Sequence, residues 1–159
     1  MLDGLFSGLI SNVLFNLLPW NSLLVNKYGY INSPRKKAIE GFWYGKTNQS
    51  IGVNGENMET KLNANFFLKG SLIKGKALIS WEDEQITAKC IGGFLSESMV
   101  KLTYRSDDES LMNYGVALLN LNGAGNELEG NILGHGHLIN SMFLGKANFK
   151  KKNTVQNSL

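Results

Sequence analysis

From residue 39 onward, the chain consists of short runs in which apolar and polar side chains alternate, separated by clusters of turn residues. Between positions 100 and 105, apolar residues at even positions alternate with Lys, Thr and Arg at odd positions. A period of two indicates a β-strand with one buried face. We therefore predict eight strands, which span Ile39 to Thr47, Lys61 to Leu68, Leu72 to Trp81, Gln85 to Ile91, Met99 to Arg105, Asn113 to Leu121, Glu127 to His135 and Ile139 to Lys150.

The connections between these strands are too short to contain crossover helices, so consecutive strands should pair antiparallel. Closing such a meander into a barrel removes its exposed edges. The expected fold is mainly β, an eight-stranded antiparallel up-and-down barrel, with a two-sheet sandwich as the alternative. An eight-stranded barrel is filled by side chains or holds one small ligand. In the strand from 127 to 135, odd and even positions both suit the interior, so its facing stays open.

The first 20 residues follow a helical period instead. Apolar residues recur every three or four positions, Gly, Ser and Asn occupy the opposite face, and no charged residue occurs from Gly4 through Asn26. Pro19 disfavours helical backbone at the residue before it, which predicts the end of the helix. The predicted organisation is an amphipathic helix over 1–20, a linker with a basic cluster over 21–37, the β-barrel domain over 38–150 and a flexible tail over 151–159.

Three roles of the N-terminal helix are compatible with this pattern. It covers the barrel itself, docks on a partner or a second copy of the chain, or lies at a membrane surface with the basic cluster facing anionic lipid. A secretory signal is disfavoured because a positively charged start and a small-residue cleavage site are both missing. The side chains expected to contact a membrane or a partner are Leu5, Phe6, Leu9, Ile10, Val13, Leu14, Leu17 and Trp20.

Composition limits the number of domains, the kinds of partner and the cellular compartment that we expect. At 159 residues the chain has the length of one domain. Its net charge of +3 is too small to indicate a nucleic-acid-binding surface, so we expect no DNA or RNA partner. Cys90 is the single cysteine, which excludes an internal disulfide and is typical of a reducing compartment. We expect a cytoplasmic protein, peripheral at the inner membrane if the helix binds lipid.

The sequence contains no arrangement of residues that is diagnostic of catalysis. Neither a phosphate-binding glycine loop nor a catalytic triad is present, so we assign no catalytic residue and no cofactor. His135 and His137 point to one face of a strand, but a third ligand is missing nearby, and we assign no metal site. If the chain is an enzyme of the isomerase or cyclase type, the plausible polar group is Arg105, Glu129 and His135.

A ligand-binding barrel needs aromatic surfaces and a few fixed hydrogen-bonding groups. Lys and Arg side chains can hold a phosphate or carboxylate, and aromatic rings can stack on a base. The alternative is that the aromatic residues simply fill the core. The candidate ligand-binding residues are Trp43, Tyr44, Lys46, Tyr104, Arg105, Asn131 and His135.

The first predicted strand contains Gly41-Phe42-Trp43-Tyr44-Gly45, which resembles the G-x-W-x-G motif of calycin-like barrels, the class that includes lipocalins and avidins. With its N-terminal apolar segment, the layout is most similar to the membrane-anchored β-barrel effectors of bacterial cyclic-oligonucleotide anti-phage signalling. This resemblance implies a barrel that binds a cyclic nucleotide, and N-terminal helices that then assemble and disrupt the inner membrane. From this resemblance we carry over only Trp43, as the residue at the matching barrel-entry position.

We therefore expect a non-enzymatic module that binds a small ligand, with a nucleotide-sensing defence role implied by the resemblance. Its N-terminal helix would engage a membrane or a partner. The alternatives are a structural or interaction subunit with a filled barrel that docks through its helix, and a barrel enzyme of the isomerase or cyclase type.

Overall fold

The computed structural model describes residues 29–51, 56–136 and 140–152, without the side chains of 51 and 56. The chain divides into two units, Met1–Tyr30 and Ile31–Leu159. The helix predicted over 1–20, with all its expected contact residues, lies outside the described residues, and so do His137 and most of the predicted tail. Among the described residues, no helix is long and apolar enough to cross a membrane.

Eight strands form the second unit, as predicted. They are β1 (Gly41–Ile51), β2 (Glu56–Lys69), β3 (Leu72–Trp81), β4 (Glu84–Phe94), β5 (Met99–Ser106), β6 (Tyr114–Leu121), β7 (Glu127–Gly136) and β8 (Ser141–Lys151). Each pairs antiparallel with the next, and β8 pairs with β1, so the sheet is a closed up-and-down barrel. The sandwich alternative is thereby excluded.

The pairing is staggered around the barrel. A line of directly paired residues leaves β1 at Ile51 and returns to β1 at Gly41, after passing through Phe143, Gly134, Gly115, Tyr104, Cys90, Gly75 and Phe66. Such a displacement means that the strands are tilted relative to the barrel axis, as closure requires. Four buried side chains on this line face the interior: Phe66, Cys90, Tyr104 and Phe143.

One end of the barrel is closed by residues 31–40, which precede β1. They include a 3-10 turn, Lys36–Ile39, where the sequence pattern predicted the start of a strand at Ile39. The amide of Ile31 donates to the Phe94 carbonyl at 2.8 Å, and the Ser33 hydroxyl donates to the Glu97 carbonyl at 2.9 Å. Arg35, from the predicted basic cluster, donates to the Asn122 carbonyl. We call this the closed end.

Trp43 anchors the closed end from inside. Its side chain is 1% exposed, and its indole Nε1 donates to the Ile39 carbonyl at 2.7 Å. The Lys151 ammonium lies 5.8 Å from the centre of the ring and donates to the Ala38 carbonyl. A buried tryptophan needs a partner for its N–H, and the turn before β1 supplies one.

Two differences from the predicted strand bounds bear on the interior. β1 continues four residues beyond the predicted end at Thr47, and β2 begins at Glu56 rather than at Lys61. The polar residues of this hairpin read as a loop in the sequence. The extension places Gln49 and Thr60 inside the barrel.

Candidate ligand-binding cavity

The barrel contains a partly open cavity of about 90 Å³. It is lined almost entirely by apolar atoms, and it extends toward the end of the barrel opposite the closed end, where Trp81 and Glu84 pair at the tip of the β3–β4 hairpin. A space of this size holds more than one water molecule, and apolar cavities of comparable size take up small apolar molecules.

Small side chains produce this space. Ala64, Ala77 and Ala88 are directly paired across β2, β3 and β4, and all three are buried. Ala64 and Ala77 line the cavity, and Ala117 lines it from β6. Larger apolar residues surround them, so the volume exists because alanines occupy positions where leucine or isoleucine would fill a barrel of this size.

Glycines next to aromatic rings shape the wall. A Cβ atom at Gly134 would lie 2.2 Å from the Tyr104 hydroxyl oxygen, and one at Gly115 would lie 2.5 Å from it. The tyrosine ring therefore lies flat against β6 and β7, in room left by two missing side chains. Phe66 lies in the same way over Gly75, where a Cβ would be 2.7 Å from its ring. Glycine in a strand commonly marks such a close approach.

A polar cluster lies in the wall between β1 and β2. The hydroxyls of Thr47 and Thr60 are 2.6 Å apart, and the Gln49 amide nitrogen donates to both, at 2.7 and 3.1 Å. All three side chains are buried. Hydrogen bonding within the cluster offsets most of the cost of burying these groups, while the Gln49 Oε1 has no partner among the described residues.

Cys90 and Tyr104 are paired inward-facing residues of β4 and β5, and both line the cavity. Burial raises the pKa of the Cys90 thiol to about 12, with the charge of Asp107 as a smaller cause. Burial also raises the pKa of Tyr104, whose hydroxyl has no hydrogen-bond partner among the described residues. Both groups are therefore neutral at physiological pH.

We expect Cys90 to resist alkylation as long as the barrel is folded. A protonated, buried thiol is a poor nucleophile, so iodoacetamide at pH 8 should modify the folded chain at least about a hundredfold more slowly than the urea-unfolded chain. Mass spectrometry of timed samples measures both rates. Equal rates with and without urea would contradict the buried position of the thiol.

The candidate ligand-binding residues do not come together in the structure. Tyr104 lines the cavity, and Trp43 lies in the core at the closed end. The other five project from the outer wall: Tyr44, Lys46, Arg105, Asn131 and His135. Lys46 forms an ion pair with Glu59 at 2.9 Å, so it is not directed at the interior.

The facing of β7, which the sequence left open, is settled by burial. Leu128 and Ile132 are buried, whereas Glu129, Asn131 and Leu133 are exposed. His135 is on the outer wall, where its ring stacks on Tyr114 with the ring centres 5.7 Å apart. Its Nδ1 lies 2.8 Å from the Met112 carbonyl oxygen.

The three polar residues that we considered for catalysis do not lie together in the structure. Glu129 accepts a hydrogen bond from Asn148 at 2.7 Å, six positions from His135 on the same strand. Arg105 is separated from His135 by Tyr114, since each pairs with that tyrosine. Among the described residues, no group of three or more His, Cys, Asp or Glu side chains could hold a metal ion.

Sequence reasoning missed the residues that define the cavity. Alanine carries no chemical signal, so the sequence does not single out Ala64, Ala77 or Ala117. Gln49 lies outside the predicted strands because β1 was predicted to end at Thr47, whereas it continues to Ile51. Because Thr47, Asn48, Gln49 and Ser50 are all polar, the apolar–polar pattern gives no signal that Gln49 faces the interior.

Comparisons with known proteins support the β-barrel architecture but identify neither a family nor a function. No protein-family model matches the chain, and no curated protein matches it. Among solved structures, the chain is similar to a redesigned β-barrel, with a TM-score of 0.54 and 10% sequence identity, over 76% of this chain and 97% of the other. At this identity the likeness concerns the fold alone. The resemblances to calycins and to anti-phage effectors stay predictions, and what is established is a closed eight-stranded antiparallel β-barrel.

Proposed function

We propose that this chain is a non-enzymatic binding module that takes a small, uncharged and largely apolar ligand into its barrel. The observation that carries the proposal is the cavity of about 90 Å³, whose walls are apolar and whose space is left by three alanines. Close-packed interiors rarely keep a void of this size, because each missing methyl group costs dispersion and transfer energy. A ligand that fills the space recovers that energy.

The lining also favours an apolar ligand over a nucleotide. No Lys or Arg of the described chain lines the cavity, and Glu84 contributes a negative charge near the end of the β3–β4 hairpin. An anionic phosphodiester in this interior would lose its hydration without gaining a cation. The nucleotide-sensing role, the defence role and the part played by residues 1–20 stay predictions without support from the cavity.

The size of the cavity favours a second candidate function. Pockets for drug-sized ligands usually measure about 300–1,000 Å³, so a volume of about 90 Å³ also suits a structural or interaction subunit whose barrel is nearly filled. In that case the cavity would be a packing defect that binds no ligand, and the functional residues would lie on the outer surface. The two candidates differ in whether a small apolar probe binds inside.

Binding of benzene by the full chain tests the proposal. We expect benzene to shift the NMR signals of cavity-lining methyl groups such as those of Leu62 and Ile132. Ala117→Leu should weaken this binding by at least about tenfold, because the added side chain occupies the cavity. Ala124→Leu is the matched control, since Ala124 is exposed in the β6–β7 turn and should leave binding unchanged.

Two results would count against the proposal. If benzene binds equally well to the wild type and to Ala117→Leu, its site is not this cavity. If benzene does not bind at all, the filled-barrel subunit becomes the better function. Binding of a cyclic dinucleotide with shifts of the same methyl groups would restore the nucleotide prediction.

A further inference from the structure

The outer wall of the barrel carries a surface that the cavity does not explain. Five side chains, each about half exposed, form what we call the apolar patch: Met112, Tyr114, Leu133, Met142 and Leu144. They come from β6, β7, β8 and the loop before β6, and Leu133 pairs directly with Leu144. Contiguous apolar surface on the outside of a small soluble domain usually marks a contact site.

A row of cationic side chains leads around the outer wall to the apolar patch. Following paired residues around the outer wall, Lys76 is paired with Lys89, Lys89 with Arg105, and Arg105 with Tyr114. The same line continues through His135 to Met142. One row of the wall is therefore cationic over three strands and apolar or aromatic over the next three.

The cations keep a net positive charge. Asp107 forms ion pairs with Lys89 at 3.0 Å and Lys76 at 3.6 Å, which leaves one positive charge from these three groups. Arg105 has no ion-pair partner among the described residues. Lys74 adds a further cation next to Ile91 in the neighbouring row.

We propose that this wall of the barrel lies on the surface of an anionic lipid bilayer. Lipid headgroups would meet Lys76, Lys89 and Arg105, while the apolar patch enters the boundary between headgroups and acyl chains. Long cationic side chains suit this position because their stems cover apolar surface while their charged ends reach the headgroups. This surface is distinct from the N-terminal helix that the sequence predicts to contact a membrane or a partner, because all of its residues lie between positions 76 and 144.

The composition of the patch favours lipid over nucleic acid. Single-stranded nucleic acids are bound by rows of aromatic platforms, whereas four of the five patch residues are aliphatic or methionine. An acyl boundary has no stacking requirement and accepts such side chains. The cationic and apolar halves match the two layers that a bilayer surface presents.

Co-flotation of the full chain with phosphatidylcholine vesicles, with and without phosphatidylglycerol, tests the proposal. We expect partitioning to rise by about tenfold when phosphatidylglycerol is present and to fall with added salt. The double variant Leu133→Ser/Leu144→Ser should lower partitioning by about tenfold or more, since two leucines no longer enter the acyl boundary. Arg105→Gln should lower it severalfold and weaken the dependence on phosphatidylglycerol.

Phe42→Ser is the matched control. Phe42 and Leu144 are both 59% exposed, but Leu144 pairs with Ser50, eight positions along β1 from Phe42, or about 26 Å at roughly 3.3 Å per residue. Phe42→Ser should change partitioning by less than about twofold. Thermal unfolding of each variant verifies that the barrel is intact, and benzene binding should be the same in all of them.

Three results would overturn the proposal. They are a wild-type chain that does not float with phosphatidylglycerol vesicles, a double variant that floats as well as the wild type, and a control that loses as much binding as the double variant. In the second case, residues outside this wall are responsible for membrane binding. Binding of single-stranded polyuridylate in place of vesicles would assign the wall to nucleic acid.

Discussion

Replacing Trp43 with alanine should lower the free energy of unfolding of the barrel by about 3–5 kcal/mol, the range found when a large buried aromatic side chain is removed. The side chain is 1% exposed, and its loss leaves a void between the core and the turn before β1. The Ile39 carbonyl also loses its hydrogen bond from the indole. For a domain of this size, the midpoint of thermal unfolding should fall by roughly 10 °C or more.

One further variant separates packing from hydrogen bonding at this position, and a second variant, at the next position, is the control. Trp43→Phe keeps an aromatic ring but removes the donor, so it should cost less than the alanine variant while still leaving the Ile39 carbonyl without its partner. Phe42→Ala, at the exposed neighbouring position, should change stability by no more than about 0.5 kcal/mol. Urea unfolding followed by circular dichroism measures all three. A Trp43→Ala variant as stable as Phe42→Ala would contradict the anchoring role.

The strands could be predicted from the sequence wherever one face is apolar and the other polar. β3 spans Leu72–Trp81, with the predicted bounds, because turn residues flank the strand on both sides. The prediction was wrong at Ile39, which continues the apolar pattern but belongs to a 3-10 turn. There the Ile39 carbonyl accepts a hydrogen bond from the indole of Trp43, four residues later in the chain, and the apolar–polar pattern does not show this contact.

The facing of β7 shows the limit of periodicity more sharply. Leu133 is exposed while Gly134 faces inward toward Tyr104, which is the reverse of what hydrophobicity alone favours at these two positions. Gly134 faces inward because an aromatic ring from another strand occupies the space of its missing side chain. Such a relation between residues thirty positions apart cannot be seen in the local sequence.

The candidate site was harder to predict than the fold for a related reason. Five of the seven proposed ligand residues were chosen for their chemistry, as cations, amides or rings, and they lie on the outer wall. The cavity depends on where side chains are small, as at Ala77 and Ala117. A void is a property of the assembled core, and only the packed structure reveals it.

Because Tyr104 lies against Gly115 and Gly134, we expect the destabilisation caused by Gly134→Ala to depend on the Tyr104 hydroxyl. Gly134→Ala places a methyl group where the Tyr104 hydroxyl lies, 2.2 Å away, and 2.7 Å from the backbone oxygen of Tyr114. Overpacking of this kind typically costs about 1–3 kcal/mol, and we expect the upper part of that range because one of the obstructing atoms is backbone. Gly123→Ala is the control, since a Cβ at Gly123 would meet nothing within 4 Å.

The same substitution should cost less when the hydroxyl is removed. Tyr104→Phe deletes a buried oxygen that has no partner among the described residues, so by itself it should leave stability unchanged or raise it by about 1 kcal/mol. In that background the nearest obstructing atom is gone while the Tyr114 carbonyl and the Phe143 ring still lie close to the added methyl group, so the cost of Gly134→Ala should fall by about 1 kcal/mol or more. Urea unfolding of the four proteins of this cycle measures the coupling. Strict additivity would mean that Tyr104 does not lie over Gly134, because two residues in contact cannot respond independently to the same added methyl group.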